Sequence, residues 1–324
     1  MCSQRVFGAR QAKGGQASLV AIGNFDGVHR GHRAVLVEAL RMAREAGLVP
    51  RVLTFDPHPA VVLGRGALPA LTSLPRKVEL LCRQSSELEV VVEPFTLELA
   101  KTEPADFTRQ LLIDALGAKV VLVGENFRFG RGRAGDFTKL LELGKEQGFR
   151  AHATSLERDA EGPISSTRVR AALEAGQLEV VESLLGRPHA LTGLVIPGQG
   201  RGRSIGVPTA NLGEIAEALP PHGVYAVLVD QQVEGAFVAL AGGVANFGVR
   251  PTLGAGPSFE AHLFDTSLDL YGQEVRVHLL GRLREERKFS GVNELRAQIA
   301  RDIEAARAVT ARRLPDPSAL GAWY

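Results

Sequence analysis

The chain changes texture near residue 185, and that change limits the folds open to it. Before it, short apolar runs alternate with stretches of helical periodicity. The runs are Ser18–Ile22 (SLVAI), Arg51–Phe55 (RVLTF), Leu88–Val92, Ala118–Gly124 (AKVVLVG) and Phe149–Thr154 (FRAHAT). These runs read as strands, and SLVAI and AKVVLVG as buried ones, as in a parallel sheet. Between them, Leu36, Ala39, Leu40 and Ala43 fall at helical spacing, with Gly47 as a stop. Phe107, Leu111, Leu112 and Ala115 share a second helix face, with Pro104 near its start. The expectation for residues 1–185 is a doubly wound α/β domain.

Beyond residue 185 glycine and proline become frequent and helical periodicity fades. Gly223–Val229, Gly235–Val244 and Glu274–Leu280 read as strands separated by turns. The end is helical again, with Leu295, Ile299 and Ile303 at i, i+4 spacing. Residues 186–324 are therefore expected to form a small β-barrel or sandwich with a C-terminal helix, joined to the first domain through Leu184–Gly193. An apolar fraction of 45% in 324 residues supplies two cores. The net charge of +2 shows no concentrated basic face and argues against nucleic-acid or membrane-surface binding. Cys2 and Cys82 are too few for a disulfide scaffold. The first residues lack an apolar signal region and no apolar run reaches membrane-spanning length, so a cytoplasmic protein is expected. Homo-oligomerisation stays open.

Chemistry concentrates first in GNFDGVHRGH, Gly23–His32, where the first strong strand hands over to a helix. A helix N-terminus presents unpaired N–H groups and the positive end of its dipole, a setting that favours phosphate. His29 and His32 can offer ring N–H donors to oxygens that gain charge as a phosphorus is attacked. Gly27 and Gly31 let backbone approach a ligand closely. The competing reading is a pair of packing histidines. Asp26 is divided between ligand contact and stiffening the turn.

A second concentration is GQGRGRSIGVPTANLG, Gly198–Gly213. Thr209 and Asn211 alternate in strand phase and offer two oxygens side by side, suited to Mg²⁺ beside nucleotide phosphates. The glycines suit a backbone cradle for phosphate; a turn-rich linker is the alternative. GRGRAG, Gly130–Gly135, fits a dinucleotide-binding pattern but does not directly follow a strand, and a flexible loop is expected. No P-loop sequence is present.

These segments carry a resemblance. GNFDGVHRGH resembles the signature of the HxGH nucleotidyltransferases, and ISSTRVR (Ile164–Arg170), VGENFRFG (Val123–Gly130) and FDPHP (Phe55–Pro59) resemble its flavin-nucleotide branch. GRSIGVPTAN (Gly202–Asn211), followed in order by PHGVYAV, GVANFGVRPT, FEAHLFD, LYG and LREERKF, is similar to the riboflavin kinases. Together, from about Ser18 to about Ala308, the chain resembles the bacterial bifunctional riboflavin kinase/FMN adenylyltransferases. The resemblance implies phosphorylation of riboflavin by ATP to FMN, then adenylation of FMN to FAD, both with Mg²⁺ and with small-molecule substrates only. It implies His29 and His32 as catalytic groups on the phosphates. Gly23, Asn24, Phe25, Asp26, Gly31 and Asn126 would surround the nucleotide, and Ser166, Thr167 and Arg170 would close the site. In the second module it implies Gly202, Arg203, Gly206 and Pro208 as nucleotide-binding, Thr209 and Asn211 on Mg²⁺ and ATP, and Glu260 as the general base on the ribityl 5′-hydroxyl. Arg287 falls where a flavin-site lid could form. Rival readings are a monofunctional enzyme with one regulatory module, and a flavin- or nucleotide-sensing regulator.

Overall fold

A computed structural model describes residues 5–11, 15–64, 66, 69–198, 202, 206–249, 257–266 and 268–313. The chain forms two compact units, residues 1–166 and 167–324.

The first unit is built on a six-stranded sheet of β1 (Arg5–Phe7), β2 (Ser18–Ile22), β3 (Val49–Asp56), β4 (Glu89–Pro94), β5 (Ala118–Gly124) and β6 (Arg150–Thr154). The strands lie in the order β1-β4-β3-β2-β5-β6 and every adjacent pair is parallel. Both faces of the inner strands are covered, as their apolar runs require, while the edge strand β6 is largely exposed. Leu19 and Ala21 of β2 join one core with Leu36, Ala39 and Leu40 of helix α1 (Arg30–Ala46). Val20 and Ile22 join the other with Phe107, Leu111, Leu112 and Ala115. Gly47 ends α1 at φ 63°, its N–H returning to the carbonyls of Ala43 and Arg44.

Two more short helices, α2 (Pro59–Val62) and α3 (Leu74–Cys82), follow β3. α4 (Leu97–Ala100) and α5 (Pro104–Asp106) follow β4. The segment expected to be one amphipathic helix then continues from α5 as a π-helix, Phe107–Ala115. Its wider turn brings Leu116 into the same core as Phe107, Leu111, Leu112 and Ala115. Thr108 donates to the Ala105 carbonyl at 2.9 Å, drawing on an acceptor of the preceding turn. α6 (Phe137–Gln147) covers the same face before β6. A two-stranded hairpin of β7 (Arg158–Asp159) and β8 (Gly162–Pro163) follows. β1 had no counterpart in the sequence reading: a three-residue edge strand is too short to show a period.

The second unit contains α7 (Ser166–Glu174, whose first residue closes the preceding unit), α8 (Leu178–Leu185) and a closed barrel. The barrel strands are β9 (His189–Ile196), β10 (Ala210–Leu212), β11 (Gly223–Val233), β12 (Ala236–Val249), β13 (Pro257–Leu263) and β14 (Glu274–Arg284), all paired antiparallel. The expected junction, Leu184–Gly193, runs from the end of α8 into β9. Gly186 closes α8 in the left-handed conformation and β9 begins at His189, alternating buried and partly exposed residues. Glu234 and Gly235, both at positive φ, make the β11–β12 hairpin turn.

The C-terminal helix α9 (Val292–Thr310) packs on Val224, Ala226, Leu228, Val244 and Leu280 through Ile303, Ala306 and Val309. The expected seam through Leu295 and Ile299 is only half-buried; Asp302, Ala306 and Thr310 are the buried positions. The register is drawn that way by Arg284 at the end of β14, whose Nε and Nη2 reach the Asp302 carboxylate at 3.0 and 2.8 Å. Among the described residues no helix is long and apolar enough to cross a membrane. Asp302→Ala should destabilise the docked helix by about 1.5–3 kcal/mol, since it leaves Arg284 without its charged acceptor. Faster hydrogen exchange of α9 amides than in the parent protein would report it.

Candidate functional site

In the first unit the chain runs outward from the central β2 to β3 and β4, then crosses to β5 on the other side of β2. The strand order reverses between β2 and β5. In open α/β sheets the crevice beyond the carboxyl ends at such a reversal holds the ligand. The loop after β2 is Gly23–His29 and the loop after β5 begins with Glu125 and Asn126, so two of the sequence motifs meet at this end. Asn126 is exposed there.

The turn after β2 is tightly constrained. Phe25 and Val28 have φ of 49° and 39°, a region that side chains with a Cβ rarely enter. Each such residue costs about 1–3 kcal/mol and persists only where neighbours over-determine it. Here the neighbours are visible. The Gly23 N–H donates to the Leu53 carbonyl at 3.1 Å. Asp26 Oδ1 accepts the N–H of Leu71 at 2.9 Å and of Thr72 at 3.3 Å, and the Gly27 N–H donates to the Thr72 hydroxyl at 3.2 Å. The Ser166 hydroxyl donates to the Asp26 carbonyl at 2.9 Å, across 140 positions of sequence. Asp26 thus stiffens the turn, and Ser166 is brought to it.

The turn delivers His29 as the N-cap of α1. Its Nδ1 accepts the His32 N–H at 3.2 Å, so the neutral ring carries its hydrogen on Nε2. The His29 and His32 rings stack, centroids 3.6 Å apart and 16° from parallel. Phe25 packs against the His32 ring at 5.1 Å. A Cβ at Gly31 would stand 3.2 Å from both the His29 ring and the Ile164 carbonyl. A side chain there would press the histidine ring or the start of the ISSTRVR segment aside by a few tenths of an ångström. His29 is buried, His32 half-buried and Asn24 exposed. Thr167 is exposed in the first turn of α7 and Arg170 is half-buried one turn on. GRGRAG forms a loop closed by reciprocal Phe129–Gly135 backbone bonds of 3.0 and 2.9 Å, with Arg131 and Arg133 exposed, as expected of a loop.

Sequence reasoning missed one side chain beside this turn. Lys77 of α3 is buried, and its Nζ donates to the Phe55 carbonyl at 3.0 Å and the Asn24 carbonyl at 3.4 Å. Burial holds its pKa below the ordinary lysine value, against the opposing pull of Asp56 and Asp26. A lysine at an apolar position of an amphipathic helix was the available signal, since Val78, Leu80 and Leu81 around it are core residues.

In the second unit Asn211, Glu260 and Asn246 lie side by side on β10, β13 and β12, in direct register. Positions opposed in this way present their side chains to the same face of the sheet. Thr209 Oγ1 donates to Glu260 Oε2 at 3.4 Å and the Ser258 hydroxyl to Oε1 at 3.1 Å. The Asn211 amide is pressed against Gly198, where no Cβ could be placed. The Gly202 carbonyl accepts the Val207 N–H at 2.8 Å, Gly206 turns at φ 83°, and the Pro208 carbonyl pairs with His262 Nδ1 at 2.8 Å. A hydroxyl that donates to Glu260 keeps its lone pairs for a cation. With the Asn211 carbonyl oxygen, Thr209 offers hard donors of the kind Mg²⁺ takes. Among the described residues no cluster of His, Cys, Asp and Glu could hold a metal. Arg203, Arg250, Pro251 and Thr252 lie outside the described residues. Arg287 donates to Gln298 of α9 at 3.0 Å.

Comparison with known proteins finds two families along the chain. A family model described as FAD synthetase matches residues 11–168, and one described as riboflavin kinase matches residues 185–310. The bifunctional riboflavin kinase/FMN adenylyltransferase of Escherichia coli (strain K12) is 40% identical over 294 residues, 90% of this chain and 92% of that protein. The protein of the same name from Bacillus subtilis (strain 168) is 36% identical over 298 residues, 89% of this chain and 91% of its own. A crystal structure described as a macrolide-efflux protein from Streptococcus pneumoniae superposes with a TM-score of 0.81 at 29% identity, covering 94% of this chain and 98% of that one.

The lowered pKa of Lys77 has a thermodynamic consequence. Just below the ordinary lysine pKa the unfolded chain binds a proton at this position that the folded chain has begun to release. Stability from this group therefore rises with pH as it approaches the lysine range. In urea titrations the gain of the first unit between neutral pH and about pH 10 should be larger in the parent protein than in Lys77→Met.

Proposed function

Because this chain belongs to the bifunctional riboflavin kinase/FMN adenylyltransferases and is a transferase with both activities, we propose that the two reactions are divided between the two constellations just described. We assign FMN adenylyl transfer to residues 1–185 and riboflavin phosphorylation to residues 186–324. Family matches that end at residue 168 and begin again at residue 185 support that division.

In the kinase, the ribityl 5′-hydroxyl of riboflavin attacks the γ-phosphorus of ATP. The new O–P bond forms as the bond to the β–γ bridging oxygen breaks, and ADP leaves. The hydroxyl proton passes to the Glu260 carboxylate, which Thr209 and Ser258 orient by their hydrogen bonds. Thr209 and Asn211 would hold Mg²⁺, which when bound supplies positive charge to the phosphates. The glycine-rich segment that contains Gly202, Gly206 and Pro208 encloses the phosphates with backbone.

In the adenylyltransferase, a phosphate oxygen of FMN attacks the α-phosphorus of a second ATP and pyrophosphate leaves. FAD keeps the new P–O–P bridge. His29 and His32 place ring N–H donors on the oxygens that gain charge, and the N-terminus of α1 adds its dipole. Gly23, Asn24 and Phe25 shape the turn beneath the nucleotide, with Gly31 admitting the close approach. Asn126 reaches the same end from β5. Ser166, Thr167 and Arg170 supply the polar groups of the ISSTRVR motif. The observation that carries this assignment is the stacked His29–His32 pair at the helix start where the strand order reverses. The efflux named for the Streptococcus pneumoniae structure is not carried over. ATP consumption in both steps favours a cytoplasmic location.

The purified protein incubated with riboflavin, ATP and Mg²⁺ should yield FMN and then FAD on chromatography. His32→Ala should cut FAD formation by about 10²–10⁴-fold and leave FMN formation near normal. Glu260→Ala should do the reverse when FMN is supplied. Loss of both reactions from either change in a folded protein would contradict the division.

A further inference from the structure

Beside the donors of the α1 N-terminus, the carboxyl ends of β2 and β3 also carry oxygens that repel a polyanion. The Asn24 and Phe55 carbonyls lie there, and the Asp26 and Asp56 carboxylates are close enough to act on Lys77. The Asn24 carbonyl also accepts the Thr54 hydroxyl at 3.0 Å. Lys77 supplies the opposing charge. Its side chain is 7% exposed, and its ammonium donates to both carbonyls. An ammonium is costly to bury, and a neutral donor could have tied the same two carbonyls. The charge itself therefore has a task.

Building on the assignment of adenylyl transfer to this unit, we propose that Lys77 is a positioning residue for ATP: a fixed counter-charge beneath the Asn24 turn that makes the strand ends accept a triphosphate. It acts through the Asn24 backbone and through its field, not by touching the reacting atoms. In a partly desolvated site with an effective dielectric constant of about 20, one charge within roughly 8 Å of a polyanion is worth at least about tenfold in affinity.

FAD formation from supplied FMN isolates this site from the kinase. Lys77→Met and Lys77→Gln remove the charge, and glutamine keeps a donor for the Phe55 carbonyl. Two inhibitors divide the nucleotide: inorganic pyrophosphate carries charge without the base, adenosine the base without charge. Both variants should raise the KM for ATP and the inhibition constant of pyrophosphate by about tenfold or more. The inhibition constant of adenosine should stay within about twofold, and FMN formation from riboflavin should be unchanged. Lys77→Arg should recover part of the pyrophosphate affinity. Equal weakening of adenosine and pyrophosphate, or no weakening of either, would overturn the proposal. So would unfolding of the first unit in both neutral variants, seen as lost amide protection in α3, because Lys77 would then be a structural tie. A parent protein that makes no FAD from FMN defeats the assignment of the site itself, before any variant is compared.

Discussion

The first unit depends on holding one strained turn in place. Phe25 and Val28 occupy backbone conformations that a free chain would leave at once. They stay because Asp26 is bonded to the backbone at Leu71 and Thr72, and because Ser166 grips the Asp26 carbonyl from the far end of the unit. The strain has a product. It turns the chain from β2 into α1 within a few residues, so the helix begins directly over the strand end with His29 as its cap. A looser connection would leave the histidines and the helix dipole pointing at different places.

The barrel solves a related problem with different means. The carboxylate we propose as its general base sits mid-strand, where register rather than loop conformation fixes position. Glu260 lies opposite Asn211 on one side and Asn246 on the other, and two hydroxyls fix its oxygens. A closed barrel has no free edge along which this register could slip. Precision comes from hydrogen-bond ladders in one unit and from an over-determined turn in the other. Both arrangements offer hard oxygen or N–H groups of the kind phosphate and its cation take, without requiring a strongly basic protein, consistent with a net charge of only +2.

Buried charge recurs as a device in both units. Arg284 draws Asp302 into the α9 interface and so decides which face of that helix is covered. Lys77 stands among core residues under the nucleotide turn. In each case an ion sits where binary patterning calls for an apolar residue, and in each case it has specific partners: Asp302 accepts from Arg284 and Gln298, and Lys77 donates to the Phe55 and Asn24 carbonyls. Such positions are where pattern reading fails, because a period reports hydrophobicity and not the partner that permits an exception.

The sequence by itself determined the two architectures and the chemical character of each site. Short apolar runs alternating with helical periodicity point to a parallel sheet, and glycines, two histidines and a helix start within ten residues suit an anion at close range. Those are local properties, set by neighbours along the chain. Tertiary structure decided the rest: that β5 lies beside β2 and brings Asn126 to the same end, that Ser166 closes on Asp26, that Asn211, Glu260 and Asn246 fall in one row, and that Lys77 lies beneath the turn. Each of these joins residues distant in sequence. Strand order and register, which no local period encodes, are what bring them together.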